Sequence, residues 1–589
     1  MQEIKNIGKV SGVISNLVVV ASEAPISQNE TCYIKIGEER LLGEVIKVDG
    51  KDIFVQCFES TQGLKVGNEV EFVGKMIEVK LGPGMLSKTY DGLQNDLNKL
   101  DDLFLKRGQY NDALDADSKW EFTPTAKVGD TVQAGDWLGE VLEKTLTHKI
   151  MVPFKADGVY TIKNIVAKGK YGLEDSLVTI RNTNGDEEIK VTMVQYWPIK
   201  RAVKCYSEKV RPFSMLETGV RIVDTLNPIM EGGTGFIPGA FGTGKTVLQH
   251  AISKQAAADV VIFAACGERA NEIVEVFTEF PKLVDPHTGK GLMERTIIIA
   301  NTSNMPVASR EASVYTAMTI AEYYRTMGLK VLILADSTSR WAQALRETSN
   351  RLEELPGPDA FPMDLTAVIA AFHARAGFTY LNNGKSGSIT FLGTVSPSGG
   401  NLKEPVTEAT KKTARCFYAL SQKRADQKRY PAVDPVTSYS KYLEYSEVID
   451  YLHEHISPLW IENISNTKDI LIRSNEIREQ INILGDDGVP IDYHLNFWKA
   501  ELIDFVILQQ DAFDKIDAMT PMVRQKFMLE LVLKVHSMEF NLESFEEIAT
   551  YFKRMINQLK QLNYSEYESD EYKKNLKEFD TIIKEKRIQ

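Results

Sequence analysis

Gly239-Ala240-Phe241-Gly242-Thr243-Gly244-Lys245-Thr246 has the spacing G-x-x-x-x-G-K-[ST], and its reading decides the rest of the chain. Small residues let the backbone curl until successive N–H groups converge on an anion, and a helix starting there adds its positive end. Lys245 would reach the β- and γ-phosphates of a nucleotide, and the Thr246 hydroxyl would take one position on Mg²⁺. An ordinary glycine-rich turn is the competing reading, and context argues against it. Gly235-Phe236-Ile237-Pro238 is an apolar run just upstream, and Val247-Leu248-Gln249-His250-Ala251-Ile252 opens a helical pattern just downstream. Strand, glycine loop, helix is the setting a phosphate cradle needs. Gly239 to Val247 is therefore the expected nucleotide-binding element.

Working outward, residues 211–395 alternate strands with helices. Val260-Val261-Ile262-Phe263-Ala264-Ala265, Thr296 to Ala300, Val331 to Ala335 and Ile389 to Leu392 are continuous apolar runs, as expected of strands buried on both faces of a mainly parallel sheet. Ligands of such sheets sit beyond the carboxyl ends of the strands, where the charged motifs also fall. Cys266-Gly267-Glu268-Arg269 follows the first run, and Glu268 is placed to polarise an attacking water while Arg269 offsets phosphate charge. Lys330 to Asp336 delivers one carboxylate, Asp336, toward Mg²⁺ through water, with Ser337-Thr338-Ser339-Arg340 extending the polar rim. Arg429-Tyr430-Pro431 puts a ring in a proline-stiffened loop, and Tyr430 could stack on a base.

The flanks read differently. Residues 1–75 carry short strands between Gly, Asp and Asn turns, the grammar of a small β-barrel. Residues 76–110 read as a linker, helical from about Ser87 to Asp102, and residues 111–200 as a β-rich insertion. Lys149 in that insertion lacks the neighbours of a lipoyl or biotinyl carrier, so no prosthetic group is expected there. Residues 201–438 form the expected nucleotide-binding domain and residues 439–589 a helical one, with Glu568 to Lys586 read as a solvated helix or frayed tail. The fold class is thus multidomain α/β.

A length of 589 residues demands several cores, and 43% apolar with 25% charged residues is ordinary for a globular protein. The net charge of −12 argues against a nucleic-acid-binding surface. Met1 to Lys5 opens no signal-peptide core and no apolar run is long enough to span a bilayer, so a cytoplasmic location is expected. The five cysteines lack C-x-x-C spacing and are read as free thiols.

Taken together, the cradle (239–246), Cys-Gly-Glu-Arg (266–269), Met-Glu-Arg-Thr (293–296), Asn-Thr-Ser-Asn-Met-Pro-Val-Ala (301–308), Asp-Ser-Thr-Ser-Arg-Trp-Ala (336–342) and Val-Ser-Pro-Ser-Gly-Gly (395–400) closely resemble the catalytic A subunit, or alpha chain, of V/A-type rotary ATPases. The resemblance covers nearly the whole chain, including the β-rich insertion. It implies ATP/ADP with Mg²⁺ at the interfaces of an alternating hexamer of three A and three B subunits around a central rotor stalk. Peripheral stalk subunits and a membrane sector complete such a machine, and this chain would lie in its soluble sector on the cytoplasmic side. The resemblance also implies Glu268, Lys245 and Arg269 as catalytic residues, Thr246 and Asp336 for the metal, and Tyr430 and Phe513 as walls of the adenine pocket. The B subunit would supply an arginine finger. Proton or sodium as the coupled ion, and synthesis or hydrolysis as the direction, stay open.

Three positions depart from the family pattern. Ala270 stands where a glycine is usual, Thr243 where some relatives carry a P-loop cysteine, and Val368 where an arginine is usual in the apolar stretch Leu365 to His373. Thr243 removes the possibility of a regulatory disulfide there. A hexameric nucleic-acid translocase or an export ATPase could be built on the same core. The first lacks a basic platform, the second a reason for the insertion. A nucleotide-binding but non-catalytic subunit would have no need of Glu268 beside an intact Lys245-Thr246 pair.

Overall fold

The computed structural model describes residues 6–99, 107–269, 272, 276, 278–303 and 305–588. It divides into two compact units, one comprising Met1–Arg211, Ala258–Gly393 and Glu408–Thr413, the other Pro212–Ala257, Thr394–Thr407 and Ala414–Gln589. Ala270 and the Met1 to Lys5 segment lie outside the described residues.

In the first unit, six strands from Asn6–Ile14 to Glu69–Phe72 close into a barrel, the first pairing with both the second and the last. Alternate residues point inward, and Val18, Val20, Ile34, Val45, Val55 and Phe72 fill the interior. Gly43 is needed for closure of this wall, because a Cβ there would lie 2.6 Å from a Val55 methyl.

The insertion folds as two four-stranded sheets, one running through Thr131–Val132, Tyr160–Ile165, Val178–Asn182 and Glu188–Val191, the other through Leu146–Met151, Trp137–Glu143, Lys119–Pro124 and Gly169–Gly172. Lys149 pairs with Glu140 and lies over the Trp137 ring. A buried relay anchors this domain. Glu143 accepts from the Gly84 and Leu86 N–H groups and from His148, whose other ring nitrogen meets the Tyr323 hydroxyl at 2.8 Å.

The stretch read as a helical linker is not helical over its described part. Glu78–Leu81 pairs with Gln195–Pro198, Thr89–Tyr90 adds a parallel strand beside Thr296–Thr302, and only Leu97–Lys99 makes a single 3₁₀ turn. Residues 100–102 of that expected helix lie outside the described residues. A buried Tyr90 whose hydroxyl donates to the Ala113 carbonyl holds the segment extended.

The parallel sheet of this unit runs Ser386–Val395, Lys330–Asp336, Val260–Glu268, Thr296–Thr302, Thr89–Tyr90. Its central strands are apolar along their length because both faces are covered, as their uninterrupted Val, Ile and Leu runs require. The helix Val307–Thr326 is buried over almost its whole length.

In the second unit the strand Thr234–Pro238 pairs in parallel with Cys416–Phe417, which pairs antiparallel with Tyr439–Ser440. Helices Ser446–His455, Trp460–Leu484, Ile491–Ile503, Met522–His536, Phe545–Tyr564 and Asp570–Lys586 follow. The last of these is not a frayed tail. Tyr572, Phe579, Ile582 and Ile583 form a buried stripe, and the Tyr551 hydroxyl donates to the Ile582 carbonyl at 2.8 Å. The architecture is the expected one: barrel, β-rich insertion, P-loop α/β core and helical C-terminal region.

Candidate functional site

The cradle lies in the second unit. Strand Thr234–Pro238 is wholly buried, and helix Lys245–Gln255 begins directly after the loop. Gly242 and Gly244 take φ of 81° and 90°, a region that any Cβ would strain. Gly239 is required for a different reason: a Cβ there would meet Thr243 Oγ1 at 2.6 Å and Leu420 Cβ at 2.8 Å. Thr243 Oγ1 donates to the Ala240 carbonyl at 2.8 Å, so it holds the loop from within. Lys245 Nζ donates to the carbonyls of Gly239 and Ala240 at 2.7 and 3.2 Å, which keeps the ammonium over the loop that would hold the phosphates.

Beside the loop opens a cavity of about 450 Å³. Gly242, Gly244 and Val247 line it on the cradle side, together with Tyr430 and Pro431, Phe505 and the Gln509 to Phe513 segment, and Arg221 and Lys560. The structure thus brings Tyr430 and Phe513, far apart in sequence, to one cavity with the cradle. Phe505 sits in a π-helical turn, Asp504–Leu508, that closes the helix Ile491–Ile503. Its ring lies under two cations, Arg429 at 4.9 Å and Lys560 at 4.6 Å. Phe241 and Val247 are exposed at the surface of the loop and first turn.

The carboxylates lie in the first unit. Glu268 ends the strand Val260–Glu268, three residues later than the apolar run suggested, and Asp336 ends the neighbouring strand, where it is paired in register with Ala265. Burial, the Asp336 carboxylate and the adjacent Glu272 push the Glu268 carboxyl up to about 8, against the pull of Arg340. Such a carboxyl sits near the range useful for proton handling at neutral pH. Gly267, at φ 66°, lets two arginines close over the backbone: a Cβ there would lie 2.7 Å from Arg310 Nε and 3.2 Å from Arg340 Cβ. Arg269 is exposed on the loop that follows.

Arg310, Phe505, Arg221 and Gln510 were not singled out from sequence. A lone arginine inside the apolar turn Val220-Arg221-Ile222-Val223 was the available signal for one of them. For metal, Thr246 and Asp336 offer hard oxygen donors, the chemistry Mg²⁺ takes.

A glycine cradle closing an apolar strand, with carboxylates ending parallel strands, defines a P-loop nucleoside-triphosphate-binding protein. Comparison with known proteins narrows the class. Residues 219–440 match the ATP synthase alpha/beta family nucleotide-binding domain, residues 111–200 the ATP synthase alpha/beta subunit barrel-sandwich domain, and residues 10–74 the ATP synthase alpha/beta family beta-barrel domain. The V-type ATP synthase alpha chain of Treponema denticola is 47% identical over 572 residues, covering 97% of this chain and 95% of that one. The chains of the same name from Borrelia recurrentis and Protochlamydia amoebophila are 46% and 45% identical, each covering 99% of this chain, and 99% and 98% of their own lengths. The chain belongs to the ATP synthase alpha/beta family.

Proposed function

We infer that this chain is the catalytic, nucleotide-binding alpha chain of a V-type rotary ATPase, hydrolysing or synthesising ATP with coupled movement of protons or sodium ions across a membrane. The carrying observation is the intact cradle opening into a cavity walled by Tyr430 and Phe513. Backbone N–H groups of Gly239 to Lys245 would hold the polyphosphate, with the Lys245 ammonium on its terminal oxygens. Tyr430 and Phe513 would sandwich adenine, where stacking is worth about 1–3 kcal/mol per base. Thr246 and, through water, Asp336 would hold Mg²⁺, which supplies charge neutralisation of the phosphates. Glu268 orients and polarises the attacking water, and Arg269 supports the phosphate charge.

Domain limits of 1–75, 76–110, 111–200, 201–438 and 439–589 are proposed for the barrel, linker, insertion, nucleotide-binding and helical parts. The family matches at 10–74, 111–200 and 219–440 support three of them. Among the described residues no helix is long and apolar enough to cross a membrane, which is compatible with a peripheral place in the complex. Beta chains, alternating with three copies of this one, would contribute an arginine finger, and rotor and peripheral stalks would complete the assembly.

An arginine finger is worth roughly 10³–10⁵ in turnover. The isolated chain is therefore expected to bind ATP yet hydrolyse it slowly, with turnover rising steeply on titration with the matching beta chain. Equal steady-state rates for the chain alone and for the complex would contradict the proposed division of the site.

A further inference from the structure

Arg221 opens the helix Arg221–Leu226 on the inner wall of the nucleotide cavity and is only 1% exposed. A guanidinium withdrawn that far from water needs partners for its N–H groups. It donates to Asp517 Oδ1 at 2.5 Å, to Thr520 Oγ1 at 2.9 Å, to the Ile507 carbonyl at 3.2 Å and to the Gln509 carbonyl. Its backbone N–H donates to Gln510 Oε1 at 2.8 Å. Gln510 Nε2 in turn donates to the carbonyls of Gly219 and Asp517 at 2.9 and 2.7 Å, and the Gln510 N–H donates to the Tyr430 carbonyl at 2.9 Å. Asp517 Oδ2 accepts the Asp511 N–H at 2.7 Å and so closes the loop on itself.

These bonds all fall at the base of the segment from Gln509 to Thr520. Its tip is Phe513, 88% exposed, facing the cavity. A ring so open to solvent takes its position from the backbone that carries it. The Gln510 side chain fixes the backbone whose N–H holds the Tyr430 loop, so the placement of both aromatic walls depends on these buried bonds. Preorganised walls bind more tightly because the cost of ordering them is met before the ligand arrives.

We propose that Arg221, Gln510 and Asp517 form a positioning cluster that fixes the Phe513 loop against the Tyr430 loop and thereby sets affinity for the base end of the nucleotide, leaving the phosphate cradle untouched. The proposal rests on reading this cavity as the base pocket. The three residues act through the two rings and are positioning residues.

The test measures dissociation constants of the full chain for ATP and for inorganic tripolyphosphate, both with Mg²⁺, alongside thermal melting. Asp517→Asn keeps the shape of the side chain but removes the charge opposite Arg221. Gln510→Ala removes the neutral arm of the cluster. Each variant is expected to weaken ATP by about tenfold and to leave tripolyphosphate within about twofold. Because part of the effect runs through Phe513, Asp517→Asn should cost less on a Phe513→Ala background than it costs in the unsubstituted chain. Unchanged ATP affinity, equal losses for the two ligands, or fully additive effects would each overturn the proposal. If Asp517→Asn does not fold, Gln510→Ala decides by the same criteria, alone and on Phe513→Ala. If Phe513→Ala itself leaves ATP affinity unchanged, the base-pocket reading falls, and the inference falls with it; this result is distinguishable from failure of the cluster alone.

Discussion

The loop proposed to cradle phosphate and the carboxylates proposed to act with it are shaped in opposite ways. Gly239 to Thr246 works through local backbone geometry: two glycines at positive φ, a third excluded from carrying a Cβ by Thr243 and Leu420, and a helix starting at Lys245. Glu268 works through its surroundings, since burial, Asp336 and Glu272 together push its carboxyl up to about 8. The cradle's shape is set within eight consecutive residues save for Leu420, whereas the properties of Glu268 depend on strands and loops gathered from across one unit. The first should therefore tolerate distant change and fail on local change, whereas the second should fail on substitution of Glu268 itself and also respond to changes in the strands and loops around it.

The largest effect should come from breaking the cradle locally. Lys245→Ala removes the ammonium that Gly239 and Ala240 hold over the loop, and kcat/KM for ATP is expected to fall by about 10³ or more with melting temperature little changed. A loss under tenfold would show that the loop cradles nothing that matters to turnover.

A much smaller effect sharpens the contrast through stability. Burial holds His250, on the cradle helix, and His373, in the carboxylate unit, down to about 4. An unfolded histidine titrates near 6.5, so between about 6.5 and 4 the unfolded chain takes up protons that the folded chain refuses. Each histidine's contribution is therefore complete above about 6.5 and is lost as pH falls toward 4, by at most about 1.4 kcal/mol per pH unit. His373→Gln should flatten the fall of stability between pH 7 and pH 5 relative to the unsubstituted chain, as read by denaturant titration. An unchanged slope would mean that His373 is not held neutral by burial.

The same contrast explains what was legible in the sequence. The cradle, the Walker-type strand ending at Asp336 and the continuous apolar strands declare themselves because spacing and composition alone impose them. The strand Thr89–Tyr90 was hidden, being two residues whose pairing partner lies some two hundred positions on. The final helix was read as a solvated helix or frayed tail, and its buried face was missed because four buried residues are diluted by the charges around them. Tyr430 entered as one possible base-stacking ring, and Phe513 only by resemblance; the tie between their loops is the Gln510 main-chain N–H on the Tyr430 carbonyl, which no motif marks. Buried polar clusters of this kind are set by tertiary contacts, so no spacing announces them.

The most direct measurement is made on Glu268→Gln in the assembled complex, with ATP affinity and ATP turnover read from the same preparation. Glutamine keeps the size of the side chain but cannot take a proton from water. The ATP dissociation constant is expected to stay within about threefold of the unsubstituted complex while turnover falls by about 10²–10⁴. Turnover that survives unchanged, or that falls only in proportion to a loss of binding, would contradict the assignment of the chemistry to Glu268.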